Sequence, residues 1–189
     1  MKTIKMLAVL SVAVAAGLFA FTAIADSDKK DKDDKHGHKV GKVAYDFELS
    51  DEEGNKHKLS DYSDELVLMV FWFADCPSCK KEVPDLNDLH DKYGEKGLRI
   101  LSLNVADDKE RIKKFKKEHD IEYTVLVDKA QAVTKKYKVL GVPTNILVGT
   151  DGKILYRKYK VPKEDVIKDN LPEKKDDKKD GDKDEDDKK

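Results

Sequence analysis

Cys76 and Cys79 are the only two cysteines of this 189-residue chain, and they are the residues best suited to chemistry. They stand two residues apart in the stretch FWFADCPSCKKEVP (71–84), which ends an apolar run and begins a charged segment. A cysteine pair at this spacing can bind a metal, act as a structural disulfide or exchange electrons. Each alternative makes a different demand on the rest of the sequence.

The metal and structural alternatives find little support in the sequence. A structural zinc site needs further ligands, and the chain has no second cysteine pair to supply them. His36 and His38 flank a glycine and can bind copper or zinc weakly, so a non-catalytic metal carrier is the alternative hypothesis. A disulfide that closes a two-residue loop removes little chain entropy. The pattern therefore favours a redox pair that needs no metal and no organic cofactor.

The residues around the pair indicate how the two thiols differ. The apolar run that ends at Ala74 predicts a buried strand, and Pro77 suits the first turn of a helix. Cys76 would then lie at a helix N-terminus, where free N–H groups and the helix dipole stabilise a thiolate. Cys79 follows one turn later and faces inward. We expect Cys76 to attack a disulfide and Cys79 to resolve the mixed disulfide.

The elements that must position the pair predict an α/β fold with a mixed sheet, parallel in its centre and antiparallel at an edge. Helices are expected on both faces of this sheet, and an N-terminal β-hairpin is expected to open the domain. Asp151-Gly152, between two strand-like runs, is a strong signal for a second hairpin. The pattern predicts strands at 66–74, 98–106 and 123–128, hairpins at 46–60 and 145–159, and helices at 77–96, 108–119, 130–139 and 162–170.

The N-terminal residues predict export from the cytoplasm. Lys2 and Lys5 precede an uncharged, largely apolar stretch that closes on Ala23-Ile24-Ala25. This pattern is typical of a secretory signal peptide over residues 1–25, and its length also allows an uncleaved membrane anchor. Either alternative places the remainder outside the cytoplasm, where disulfides form.

Charged low-complexity segments flank the middle of the chain. Residues 26–39 and 172–189 consist mostly of lysine and aspartate, bury almost nothing and are predicted to be disordered. One compact domain remains, residues 40–171. The net charge of −1 argues against a nucleic-acid partner, and a membrane partner is expected only if the N-terminal segment is uncleaved.

The order of these motifs resembles the thioredoxin superfamily. A strand, FWFADCPSC, a helix with Pro84 and then GVPT (141–144) before a strand and hairpin carry the resemblance, which covers about residues 43–165. The early hairpin, CPSCKKEVP and the secretory signal are similar to the extracytoplasmic TlpA/ResA branch. The resemblance implies a monomeric, periplasmic or otherwise extracytoplasmic thiol-disulfide oxidoreductase. It would reduce exported protein disulfides, such as those of apocytochrome c, and receive electrons from an upstream membrane or extracytoplasmic donor.

The resemblance also implies roles for single residues. Pro143 is expected to be cis and to lie against the cysteines, with the backbone of Val142 bonding the substrate chain like an added strand. Glu82 is expected to tune the thiols, and a solvated glutamate in the first helical turn is the equal alternative. Trp72 is assigned to substrate binding beside the site, with a core position as its equal alternative.

Two departures from the family pattern bear on the redox potential. Asp75 stands where tryptophan is common, and Val70 replaces the buried acid of thioredoxins. A carboxylate beside Cys76 disfavours its thiolate. Asp75 is therefore an expected tuning residue, Pro77 between the cysteines is the other, and the pair is expected to be reducing.

Peroxiredoxins share the fold and the opening hairpin, so their reaction needs to be considered. Their peroxide-reducing cysteine has threonine or serine three residues before it and proline four residues before that. Phe73 and Met69 occupy these positions here, so we expect no peroxidase activity.

Overall fold

The computed structural model describes residues 35–173. The predicted signal peptide, most of the linker and nearly all of the C-terminal tail lie outside the described residues. Within this range the chain forms a five-stranded sheet and two smaller two-stranded sheets. None of the helices between residues 35 and 173 combines the length and the apolar character that a bilayer span requires.

Strands and helices follow the order that the apolar runs predict, with helices ending earlier than expected. The helices are α1 (Pro77–Tyr93), α2 (Lys109–Glu118), α3 (Ala132–Lys136) and α4 (Glu164–Lys168). The strands are β1 (His36–Gly37), β2 (Val43–Ala44), β3 (Glu48–Ser50), β4 (Lys56–Lys58), β5 (Leu66–Trp72), β6 (Leu98–Asn104), β7 (Thr124–Val127), β8 (Thr144–Val148) and β9 (Ile154–Lys158).

The main sheet confirms the predicted mixed topology. Its strand order is β7-β6-β5-β8-β9, with β5, β6 and β7 parallel and β8 and β9 antiparallel to their neighbours. The carboxyl end of β5 therefore lies beside the amino end of β8, where Phe71 pairs with Thr144. This register brings the residues after β5 next to the residues before β8.

Both faces of β5 are buried, which explains its continuous apolar sequence. Leu66, Leu68, Val70 and Trp72 pack in the core under α1, α2 and α4. The alternate residues, Val67, Met69 and Phe71, pack in a second core with α3 and the N-terminal hairpin. Helices thus cover both faces of the sheet, as predicted.

The two hairpins form as predicted, from β3 and β4 and from β8 and β9. The N-terminal boundary differs from the sequence prediction, which places residues 36–39 in the disordered linker. His36 and Gly37 instead pair in parallel with β2, and the carbonyl of His38 accepts a hydrogen bond from Arg157 Nη1 at 3.2 Å. These contacts use backbone groups, which the charged composition of the segment does not reveal.

Candidate active site around the cysteine pair

Cys76 and Cys79 form a disulfide where β5 gives way to α1. Cys76 is the N-cap of α1, and its Sγ accepts the backbone N–H of Cys79 at 3.1 Å. Pro77 is the first helical residue, as predicted. In the reduced protein, the same N–H group and the helix dipole are placed to stabilise negative charge on the Cys76 sulfur.

Burial does not distinguish the two cysteines in the oxidised state. Cys79 faces the core and is 4% exposed, and Cys76 is covered to a similar degree at 5%. Pro77 and Ser78, between them, are exposed. The position at the helix N-terminus is therefore the feature that separates the candidate attacking sulfur from the resolving one.

The loop between α3 and β8 covers Cys76. Its Val142–Pro143 peptide bond is cis, as the resemblance implies, and the carbonyl oxygen of Val142 lies 3.9 Å from Cys76 Sγ. The hydroxyl of Thr144 donates a hydrogen bond to the Gly141 carbonyl at 2.6 Å and fixes the loop from within. Pro143 is buried and Val142 is half-buried. A backbone segment thus lies directly beside the sulfur.

Glu82 lies one turn after Cys79 on α1 and is half-buried beneath the pair. One of its carboxylate oxygens accepts a hydrogen bond from Asn145 Nδ2 at 3.0 Å. Burial raises the pKa of Glu82, whereas the hydrogen bonds from Asn145 and from the backbone of Val161 partly offset that rise. These contacts distinguish Glu82 from a solvated first-turn glutamate.

Trp72 is a core residue, which is the alternative to its expected role in substrate binding. It is 4% exposed, its ring centroid lies 4.6 Å from that of Phe115, and no described residue bonds its Nε1. Trp72 also lines a cavity of about 10 Å³ together with Cys79 and Glu82, which is room for about one water molecule. Because every residue of β5 is buried, Trp72 does not lie on the surface that a substrate meets.

Asp75 is exposed at the rim of the site, and its carboxylate forms an ion pair with the guanidinium of Arg111 on α2. The sequence predicted that Asp75 would act on Cys76 as an isolated negative charge. The ion pair changes that expectation, since a cation now lies against the carboxylate. Arg111 had no recognisable signal in the sequence, because α2 is rich in exposed basic residues.

Asp107 is a second residue that sequence reasoning missed. Its Oδ2 accepts hydrogen bonds from the backbone N–H of Ala74 at 2.7 Å and from Asn104 Nδ2 at 2.8 Å. Its Oδ1 lies 3.1 Å from Arg111 Nε. Asp107 is 8% exposed and therefore anchors the chain two residues before Cys76 from inside the protein. Its only sequence signal is a polar residue after a long apolar run.

The metal alternative gains no support from the described part of the chain. Among residues 35–173, no group of three or more histidine, cysteine, aspartate or glutamate side chains could hold a metal ion. His36 belongs to β1. Partial burial lowers the pKa of His38, and the cations Lys138, Arg157 and Lys39 lower it further.

Comparisons with known proteins agree with this geometry. Residues 40–157 match the AhpC/TSA family. Thiol-disulfide oxidoreductase ResA of Bacillus thuringiensis subsp. konkukian is 37% identical over 116 residues, covering 61% of this chain and 67% of the relative. ResA of Bacillus cereus is 36% identical over 122 residues, covering 65% of this chain and 70% of the relative.

A solved structure gives the same result at the level of the fold. The thioredoxin domain of a thiol-disulfide oxidoreductase from Bacteroides vulgatus superposes with a TM-score of 0.62 at 29% sequence identity. The superposition covers 69% of this chain and 94% of that domain. With the disulfide at the start of α1 and the neighbouring cis-proline loop, these likenesses identify the chemistry of the site. The chain belongs to the AhpC/TSA family and is a thiol-disulfide oxidoreductase with a thioredoxin-like fold.

Proposed function

We propose that this enzyme reduces disulfides of exported proteins outside the cytoplasm, with Cys76 as the attacking thiol and Cys79 as the resolving thiol. The observation that carries the proposal is the position of Cys76 Sγ, which accepts the Cys79 N–H at the start of α1 and lies 3.9 Å from the Val142 carbonyl. A thiolate is favoured at this position, and a substrate backbone can lie along the neighbouring loop.

The reaction has two exchange steps. The Cys76 thiolate attacks one sulfur of the substrate disulfide, whose S–S bond breaks as the mixed disulfide forms, and the released substrate thiolate takes a proton. The Cys79 thiol then loses its proton and attacks Cys76 Sγ, which releases the second substrate thiolate. The substrate disulfide gains two electrons, and the enzyme dithiol becomes the Cys76–Cys79 disulfide. A dithiol donor from outside must reduce this disulfide again.

Glu82 is the group that we propose to take the proton from Cys79. Glu82 and Cys79 line the same small cavity, and burial raises the pKa of the carboxyl toward the range in which it can exchange protons with a thiol. Asn145 holds the carboxylate in place through a 3.0 Å hydrogen bond. Val70 supplies no acid on the adjacent strand, and Glu82 is the only acid among the described residues that line this cavity.

The extracytoplasmic location rests on the N-terminal sequence, and the reducing direction rests on the residues between the cysteines. The apolar stretch after Lys2 and Lys5 supports export, and exported apocytochrome c is the substrate class that we propose. Pro77 and Ser78 place no positive charge between the cysteines, so the thiolate lacks the extra stabilisation that makes a dithiol strongly oxidising. The upstream donor is then a membrane-bound or extracytoplasmic dithiol.

The test is the equilibrium potential of the pair in glutathione and dithiothreitol buffers. For a reductant we expect a value nearer that of thioredoxin, about −270 mV, than that of the oxidant DsbA, about −120 mV. Cys76→Ser, which cannot form the disulfide, is the control for non-specific glutathione adducts. A value at the DsbA end of this range would contradict the reducing direction and leave an oxidase.

A further inference from the structure

A surface with two exposed apolar side chains borders the cis-proline loop. Leu140 is 91% exposed and Tyr159 is 63% exposed. A Cβ placed on Gly141 would lie 3.8 Å from Tyr159 Cε1, so the tyrosine ring stands beside the loop immediately after Leu140. Leu140 is two residues from Val142, a distance of at most about 7 Å along the chain. The apolar pair, called the Leu140–Tyr159 surface below, therefore lies at the rim of the redox site.

The fold holds this surface in place. Arg157 on β9 donates hydrogen bonds from its two terminal nitrogens to the carbonyls of Lys138 and His38, at 3.1 and 3.2 Å. Thr144 holds the Gly141 carbonyl from the other side. Single exposed leucines are common on protein surfaces and need no explanation. Here the exposed leucine belongs to a loop that is tied at both ends and touches the reactive sulfur.

Basic residues flank the apolar pair along the chain. Between Lys129 and Lys163 the chain has nine basic residues and one acid, Asp151, and that acid pairs with Lys153. Lys138 stands two residues before Leu140, and Lys158 and Lys160 are the chain neighbours of Tyr159. All three lysines are exposed and take part in none of the ion pairs formed within residues 35–173, so their charge attracts anionic groups.

We propose that the Leu140–Tyr159 surface docks the protein whose disulfide is exchanged, and that this partner carries an apolar side chain flanked by carboxylates near its cysteines. The inference rests on the proposed function and names the chemistry of its substrate. An apolar contact at the centre supplies affinity, whereas the surrounding opposite charges speed encounter and exclude basic partners. The closeness to Cys76 Sγ favours a protein disulfide over a lipid headgroup as the occupant.

Three synthetic peptides that share one intramolecular Cys-Ser-Ser-Cys disulfide test the proposal. The first has leucine and aspartates beside the cysteines, the second replaces the leucine by serine, and the third replaces the aspartates by lysines. We measure the second-order rate of reduction by the reduced full-length enzyme. The first peptide should react about fivefold faster than the second and about tenfold faster than the third. The tenfold difference between the aspartate and lysine peptides should shrink at high salt, because salt screens charge.

Variants assign the preference to the surface. In Leu140→Ser, the rate ratio between the leucine and serine peptides should fall toward one. The ratio is taken within each variant, so any change in thiol reactivity cancels. Val40→Ser is the matched control, since Val40 is 58% exposed and its neighbour Gly41 bonds Ile154, at the end of β9 away from Lys158. Its ratio should match the wild type.

Charge variants test the second half of the proposal. Lys138→Glu combined with Lys160→Glu should reverse the preference between the aspartate and lysine peptides. Lys96→Glu, at the amino end of β6, should leave this preference unchanged.

Equal rates for all three peptides, or equal ratios in Leu140→Ser and Val40→Ser, would overturn the inference. The inference would also be overturned if the enzyme showed no preference among the peptides but bound vesicles of anionic phosphatidylserine, and if Leu140→Ser lost this binding. If the wild-type enzyme reduced none of the peptides, the proposed function itself would fail.

Discussion

The guanidinium of Arg111 pairs with the carboxylate of Asp75, the residue immediately before the attacking cysteine. The two residues are 36 positions apart and belong to the active-site loop and to α2. Arg111 also contacts Asp107, which anchors the backbone of Ala74. The loop that presents Cys76 is therefore tied to α2 by one exposed and one buried carboxylate.

This pairing predicts opposite effects of two substitutions on the Cys76 pKa. Asp75→Asn removes a nearby negative charge and should lower the pKa, whereas Arg111→Gln leaves the carboxylate uncompensated and should raise it. Each shift should be less than about one pKa unit, because both side chains are partly exposed. Thiolate absorbance against pH measures both, and the double variant should lie between the single ones. Shifts of the same sign in both single variants would show that their charges do not act on the sulfur.

Glu82→Gln should change how the stability of the protein depends on pH. Because burial raises the pKa of Glu82, the folded protein binds this proton more tightly than the unfolded chain does. Wild-type stability should therefore fall as the pH rises from the usual value of about 4.5 through the raised folded value, and the Gln variant should lack this fall. Urea unfolding across this pH range measures the difference. Glu95→Gln, at an exposed site, is the matched control, and its stability should show the same fall as that of the wild type.

The same Glu82→Gln variant should resolve mixed disulfides more slowly, since Cys79 loses its proton acceptor. We expect a reduction of up to about 100-fold at neutral pH, the low end for a positioned base. Stopped-flow release of the second substrate thiol isolates this step from the first attack. A resolution rate equal to that of Glu95→Gln would remove Glu82 from the mechanism.

Asp107→Asn should destabilise the protein, since Asn cannot accept the Ala74 N–H and the Asn104 amide while also facing the Arg111 cation. The expected loss is about 1–3 kcal/mol in the free energy of unfolding, the cost of leaving a buried polar group unpaired. Asp108→Asn is the matched control, because asparagine caps a helix as well as aspartate does. Equal urea midpoints for the two variants would contradict the anchoring role.

The sequence could predict the parts of the site that depend on local pattern. The strand that ends at Trp72, the helix that begins at Pro77 and the cis-proline loop all follow from apolar runs, capping chemistry or the family motif. The side-chain contacts depend on tertiary packing and carry no such signal. Asn145 and Glu82 are 63 positions apart, and Asp107 and Ala74 are 33 apart. Only the register of β5 beside β8 and β6 brings these partners together.

The N-terminal boundary makes a separate prediction. A chain that starts at Lys35 should keep the redox potential and the stability of the full-length protein. A chain that starts at Val43 loses β1 and the hydrogen bonds that Gly41 and Lys42 make with Ile154, as well as the contact of His38 with Arg157. It should lose about 2–4 kcal/mol of stability in urea. Equal stability of the two shortened chains would mean that residues 36–39 belong to the linker and not to the folded domain.

The most direct test of the account is the trapping of mixed disulfides by the two single-cysteine variants. Cys79→Ser keeps the sulfur at the start of α1 and removes the resolving thiol, so it should accumulate mixed disulfides with exported proteins, visible on non-reducing gels and lost on reduction. Cys76→Ser keeps only Cys79, whose sulfur is not at the N-cap of α1, and should trap almost none. Stronger trapping by Cys76→Ser, or equal trapping by both variants, would contradict the assignment of Cys76 as the attacking thiol.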